Sequence, residues 1–327
     1  MRAVARLAAL ACLAAAACGS TLVPPSEAAA AGDVRVLVSP DAGPGAVLEL
    51  MEGARRSLWV ETYLLTDDAV VDALVARRAA GVDVRVVLEP HPYQADGAND
   101  AAFQRLTRAG ALVAWASPRF ALTHTKLAII DGERLLVMTL NFTRSGLGIN
   151  REYTVVDDDR RDVAAAEALV AADLAGLAEA PAAASTRLLV SPRGTRPALA
   201  AAIGGATASL LVEMEELSDR ALVDALIAAR TRGCVVSTVV PGYGRSPATE
   251  AATRRLAAGG VAVRLVDAPT IHAKAVVADG WMYLGSANLT TASLDANREV
   301  GLALTDPAAL SLVSRTIADD LARGRSF

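Results

Sequence analysis

The sequence predicts an α/β protein of two similar lobes, and three observations carry that prediction. The first is an internal repeat, the feature that decides architecture before any other. Leu37-Val38-Ser39-Pro40 recurs as Leu189-Val190-Ser191-Pro192, 152 residues further on. At the same offset Val60-Glu61 matches Val212-Glu213, Asp72-Ala73-Leu74 matches Asp224-Ala225-Leu226, and Gly81 matches Gly233. The second is an alternation of strand-like and helix-like periods in each copy. The third is length: 327 residues suffice for two compact domains, and 53% apolar content can fill a large core. Much of that content is Ala, which favours helices.

Each copy reads as the same series of elements. A short strand (34–38; 187–190) precedes a helix (46–54; 198–206) and a second strand (57–61; 209–213). An amphipathic helix follows (68–80; 219–232), then a Val-rich strand (82–88; 234–240). A loop with Pro and Gly (89–99; 241–248) leads to a third helix and another strand (113–114; 261–266). The Ala-rich stretch 157–184, ending around Pro181, reads as a helix closing the first lobe and then a linker. The lobes are placed at 33–180 and 186–327.

The front of the chain is expected to lie outside this fold. Arg2 and Arg6 precede an apolar run from Leu7 to Ala17, the layout of a secretory signal over residues 1–18. That run is too short to span a bilayer. Ala15-Ala16-Ala17-Cys18-Gly19 resembles the processing site of bacterial lipoproteins, in which the Cys is lipidated. The expectation is an extracytoplasmic protein anchored to a membrane through Cys18, the alternative being cleavage nearby and free secretion. Residues 19–32, with Pro24 and Pro25, read as a flexible tether.

Charge and cysteine usage narrow the class further. A net charge of −4 gives no general attraction to nucleic acid or anionic membranes, so nucleic acid is not the expected partner. With Cys12 in the signal and Cys18 at the anchor, Cys234 has no disulfide partner and reads as an inert core thiol. Three histidines and no paired cysteines build no His-rich or thiolate metal cluster, so no metal or other cofactor is expected, although an all-carboxylate Mg²⁺ site is left open. No Ser–His–Asp triad or phosphate-cradling Gly loop is visible.

The chemistry concentrates in a repeated constellation. His124, Lys126 and Asp131 form His-x-Lys-x4-Asp; Asn141 follows after nine intervening residues and Glu152 after ten more. His272, Lys274 and Asp279 repeat it; Asn288 follows after eight and Glu299 after ten. His and Lys two apart on a strand share a face. Asp131-Gly132 and Asp279-Gly280 are hairpin signals that bring Asn141 and Asn288 back beside the histidines. At such turns the two aspartates are expected to bond backbone and serve structure. Lys126 and Lys274 are the only lysines in a chain otherwise Arg-rich, so a compact ammonium is required there. Glu61 and Glu213, at matching strand ends, either line the site or pair with Arg; Tyr93, Tyr243 and His91 lie in its loops.

Duplicated His-x-Lys-x4-Asp with a downstream Gly-Ser-x-Asn resembles the phospholipase D superfamily over nearly the whole mature chain. The second copy reads Gly285-Ser286-Ala287-Asn288 and the first Met138-Thr139-Leu140-Asn141, where Met138 replaces a Gly that permits close backbone approach. The resemblance implies two α/β sandwich lobes with mixed sheets, related by a pseudo-two-fold axis around one site, so a monomer suffices. It implies a phosphohistidine mechanism with His124 as nucleophile and His272 as acid/base, although the symmetry of the motifs leaves that order open. Lys126, Lys274, Asn141 and Asn288, helped by Thr139 and Ser286, are expected to meet the charge of the phosphoryl group. Glu152 and Glu299 are expected to orient the imidazoles. Phospholipid hydrolysis of the phospholipase D type, with transfer to alcohols, is the first reading. Phosphatidyl transfer like that of cardiolipin synthase, a secreted nuclease and a degenerate binding protein are the alternatives.

Overall fold

The computed structural model describes residues 34–177 and 186–327, so the signal, the tether, Cys18 and the linker at 178–185 lie outside the described residues. The first repeat runs β1 (Arg35–Ser39), α1 (Gly45–Glu52), β2 (Ser57–Thr62), α2 (Asp68–Ala79), β3 (Asp83–Leu88), α3 (Asp100–Arg108) and β4 (Leu112–Trp115). It continues with β5 (Lys126–Ile130), β6 (Arg134–Met138), α4 (Arg144–Gly148), β7 (Glu152–Asp157) and α5 (Arg160–Leu174). The second runs β8 (Leu188–Ser191), α6 (Thr195–Gly205), β9 (Ser209–Met214), α7 (Arg220–Thr231), β10 (Val235–Pro241), α8 (Pro247–Ala258) and β11 (Ala262–Val266). It ends with β12 (Lys274–Ala278), β13 (Trp281–Gly285), α9 (Thr291–Asp295), β14 (Glu299–Leu304), α10 (Pro307–Arg323) and β15 (Arg325–Ser326).

Two mixed sheets result. The first has the order β1-β7-β6-β5-β2-β3-β4, and the second β15-β11-β10-β9-β12-β13-β14-β8. In each, the strands joined by helices are parallel (β2-β3-β4; β9-β10-β11), as crossover connections require. The strands joined by the Asp-Gly turns (β5-β6; β12-β13) are antiparallel. Asp131 at φ 58° and Gly132 at φ 64° adopt the left-handed backbone that such a turn needs, and Asp279 does so at φ 49°.

The central strands are apolar on both sides because both sides are covered. Alternate residues Ala128 and Ile130 face a core with Val60, Leu74 and Leu106, on the side of α1, α2 and α3. Leu127 and Ile129 turn the other way and join Ala275, Val277, Met282 and Leu284 of the second sheet in one shared core. Val276 and Ala278 complete a third core with Leu226 and Leu256 of α7 and α8. Cys234 is buried in that third core. Burial shared across the lobes makes the two sheets one folding unit rather than tethered domains.

Candidate active site

Each histidine lies just before a strand rather than on it, because its segment pairs with the other lobe. The backbone N–H of His124 donates to Arg298 O at 2.9 Å, and Arg298 N–H donates to Leu122 O at 2.9 Å. In the symmetric place Arg151 N–H donates to Thr270 O at 2.9 Å and His272 N–H to Arg151 O at 3.3 Å. The residue after each of these arginines is a Glu, so the exchange delivers Glu299 to His124 and Glu152 to His272. His124 Nδ1 lies 2.9 Å from Glu299 Oε2, and His272 Nδ1 lies 2.7 Å from Glu152 Oε1. Spacing along the chain suggests that one lobe gathers its own His, Lys, Asn and Glu; in the fold the glutamates are crossed.

The arginines are themselves locked across the boundary. Arg151 Nε donates to Asp320 Oδ2 of α10 at 2.6 Å, and its Nη1 donates to Ser39 O at 2.9 Å and Asp41 Oδ2 at 2.8 Å. Arg298 Nη2 donates to Asp173 Oδ1 of α5 at 2.8 Å. Glu61 and Glu213 belong to these buried clusters and not to the site. Tyr153 Oη donates to Glu213 Oε2 at 2.6 Å, while Asp173 and Arg298 are charged neighbours of Glu61. Burial pushes both carboxyls well above the usual carboxylate range.

Both lysines are fully buried. Lys126 Nζ donates to His124 O at 2.8 Å and stands 5.1 Å from the centroid of the Tyr63 ring. Burial, reinforced by the charge of Lys274, lowers its pKa to about 7. Burial likewise lowers the pKa of His124, against the pull of Glu299. Lys274 also repels charge on His124. The cations of both lobes therefore act on one volume.

Asn141 and Asn288 lie at the ends of the β5–β6 and β12–β13 hairpins, both nearly buried. Asn288 Oδ1 accepts from Glu216 N–H at 3.1 Å, which aims its Nδ2 inward. Thr139 and Ser286 are placed differently from the phosphate contacts expected of them. Thr139 Oγ1 donates to Glu152 Oε2 at 2.6 Å and accepts from Tyr153 N–H at 2.9 Å. Ser286 Oγ accepts from Val300 N–H at 2.9 Å. These hydroxyls fix the strands that carry the glutamates. Asp131 and Asp279 face away from the histidines. Asp131 accepts the backbone N–H groups of Arg55, Arg56 and Ser57, and Asp279 those of Thr207, Ala208 and Ser209. Their partners start a distant strand, so they tie hairpin to sheet rather than closing a local turn.

Met138 is compensated rather than disruptive. Gly285 pairs across the ladder with Gly301, and Met138 with Thr154. A Cβ at Gly285 or Gly301 would collide with Tyr283. Leu136 stands where Tyr283 does, so the first lobe exchanges one large ring between two glycines for three medium side chains.

Sequence reasoning missed two residues at the centre. The ring of Tyr63 packs edge-on against His124 at 4.6 Å between centroids. Glu215 occupies the equivalent place in the second lobe. Its Oε2 accepts from Lys274 Nζ at 2.6 Å and from Asn288 Nδ2 at 3.3 Å, and its Oε1 lies 3.4 Å from His272 Nε2. The signal was available: Glu215 lies two residues beyond Glu213, the next position on the same strand face. At the rim Tyr93 and Tyr243 are 73% and 58% exposed, and His91 pairs with Asp96.

Chemically, the arrangement offers two oriented imidazoles, two desolvated ammonium groups and two amides around one volume. That set can receive a phosphoryl group and divide attack from proton transfer.

A family profile described as "Cardiolipin synthase, PLD-like domain" matches residues 47–174 and 199–321, which covers both lobes. Cardiolipin synthase A of Pectobacterium carotovorum is 30% identical over 151 residues, 42% of this chain and 29% of that one. Polyphosphate kinase of Escherichia coli K12 is 26% identical over 285 residues, 80% of this chain and 41% of that one. The chain thus spans well under half the length of these relatives. Among solved structures, the phosphatidylserine synthase of Haemophilus influenzae superposes with a TM-score of 0.72 at 14% identity, covering 90% of this chain and 87% of that one. The polyphosphate kinase of Porphyromonas gingivalis does so with a TM-score of 0.73 at 19% identity, covering 90% and 48%. With both repeats matched by the profile, and the two-lobed fold shared, this chain belongs to the PLD-like family of the phospholipase D superfamily.

Proposed function

We propose that the protein is a metal-independent phosphodiesterase that cleaves phospholipid head groups through a phosphohistidine. The observation that carries this is the crossed clamp: each histidine is oriented by a glutamate of the other lobe, within a volume shared by Lys126 and Lys274. With Nδ1–H directed to a carboxylate, an imidazole presents its Nε2 lone pair for attack. One histidine forms the N–P bond while the other protonates the leaving oxygen and then deprotonates water. The lysines and the Asn141 and Asn288 amides meet the charge on the phosphoryl oxygens. An alcohol taking the place of water yields a transferred phosphodiester from the same intermediate.

A phospholipid is favoured as substrate by the family's description and by relatives named for cardiolipin and phosphatidylserine synthesis. Two exposed tyrosines at the rim suit a wet–apolar interface. The signal-like front and Cys18 fit an extracytoplasmic protein anchored beside such a substrate. The test is incubation with phosphatidylcholine or cardiolipin vesicles, or single-stranded DNA, in chelator, with and without ethanol. Phosphatidic acid, replaced by phosphatidylethanol when ethanol is added, is the expected product. Cleavage of DNA alone, or activity lost in chelator, would contradict the proposal. Fatty-acid labelling that is lost in Cys18→Ser tests the anchor, and labelling that persists overturns it.

A further inference from the structure

The two lobes differ at the position that touches the histidine. In the first lobe Tyr63 presents a ring edge to His124. At the position 152 residues later the second lobe has Glu215, which engages the inward-facing donors of its own lobe, Lys274 Nζ and Asn288 Nδ2. Asn141, the counterpart of Asn288, has its buried Oδ1 without a partner.

Charge around the imidazoles is therefore unequal. Glu152 from β7 and Glu215, just past β9, face His272 on its two nitrogens, with Lys274 of β12 against them. His124 is in contact with one carboxylate, Glu299 of β14, with Lys126 and Lys274 against it and Glu215 acting only at longer range. Burial works to raise the Glu215 carboxyl, but His272 and Lys274 outweigh it and hold the group far below the usual carboxylate range. It is an anion throughout the working pH range, and only 30% exposed.

We propose that Glu215 is a positioning residue that makes the two histidines unequal: its carboxylate stands against His272 Nε2 and bars that nitrogen from attack, leaving the attack to His124. A fixed carboxylate 3.4 Å from Nε2 repels an anionic phosphoryl group from that nitrogen. His124 Nε2 then forms the N–P bond as the P–O bond breaks, and the leaving oxygen takes the proton of His272 Nε2. In the second half His272 removes a proton from water, the oxygen bonds to phosphorus, and the N–P electron pair returns to His124. Water and diester become alcohol and monoester.

This inference rests on the phosphodiesterase reading, and the experiment separates the two. The full chain is assayed on bis(4-nitrophenyl) phosphate, and the phosphoenzyme is quenched in denaturant at alkaline pH, where the N–P bond survives, and mapped. Glu215→Gln keeps the size and an oxygen for Lys274 but removes the charge. It should therefore admit the phosphoryl group to His272 Nε2, so that part of the label moves from His124 onto His272. Glu215→Tyr copies the first lobe and should spread the phosphoryl label from His124 onto both histidines. Wild-type protein with neither turnover nor phosphoenzyme overturns the phosphodiesterase reading and this inference with it. An active wild type overturns this inference alone if its label is found on His272, or if the label stays confined to His124 in both Glu215→Gln and Glu215→Tyr.

Discussion

Glu152 of the first lobe lies 2.7 Å from Nδ1 of His272 in the second, so the carboxylate that orients this ring comes from across the boundary. The contact exists because Arg151 donates its backbone N–H to Thr270 O and accepts that of His272 across the boundary. A lobe expressed alone would present a histidine without its orienting carboxylate. Glu152→Gln and Glu299→Gln should each lower kcat by about a hundredfold or more, since the first removes the charge behind the proton-transferring ring of His272 and the second that behind the attacking ring of His124. Steady-state kinetics check this; an unchanged kcat in either variant would contradict the assignment.

Lys126 titrates near pH 7 in the free protein because burial and Lys274 disfavour its charge. A bound anion favours the ammonium form. Above pH 7 the empty site has lost this proton, so anion binding must take one up; below pH 7 the proton is already present. Calorimetry of vanadate binding in buffers of different ionisation enthalpy should give proton uptake that grows from pH 6 to pH 8. Uptake independent of pH would contradict the shift.

The packing exchange around Tyr283 makes a stability prediction. Gly285→Met alone places a side chain where Tyr283 and Gly301 already sit, and overpacking of this kind costs about 1–3 kcal/mol or more. Adding Tyr283→Leu and Gly301→Thr rebuilds the first-lobe solution Met138, Leu136 and Thr154, and should recover most of the loss. Denaturant unfolding of the single and triple variants measures it. A triple variant no more stable than Gly285→Met would show the positions to be uncoupled.

Asp131 and Asp320 sit in the same fold with different tasks, and their variants should separate in stability. Asp131→Ala strips acceptors from three backbone N–H groups that water can partly reach, and should cost about 1–3 kcal/mol with the chemistry retained. Asp320→Ala leaves buried Arg151 without its main partner, and should cost about 3–5 kcal/mol with loss of activity, because Arg151 positions Glu152. Unfolding midpoints and turnover check both. Equal effects on activity would contradict the division.

Much of the architecture was legible along the chain because it is written twice. The repeat at Leu37 and Leu189, the Asp-Gly hairpins, and the alternation of Leu127 to Ile130 specify elements through short-range physics. The strands β5 and β12 could be read as buried because both of their faces are apolar. Contacts across the lobes were not legible. Nothing in the spacing of His124 and Glu152 says that the glutamate serves the other lobe's histidine, since that depends on docking of two sheets. The tasks of Thr139 and Ser286 were hidden for a related reason: a hydroxyl beside Asn looks like a ligand contact until the neighbouring strand arrives with its own donors. Glu215 was hidden by symmetry itself, because a search for what repeats passes over the position that differs.

The central claim is that both lobes hold one anion between them, and binding stoichiometry tests it most directly. Calorimetric titration of the full chain with vanadate should give one site per chain, and either Lys126→Ala or Lys274→Ala should weaken that single site severely. Two sites per chain, or a site that survives intact when one of these lysines is removed, would contradict it.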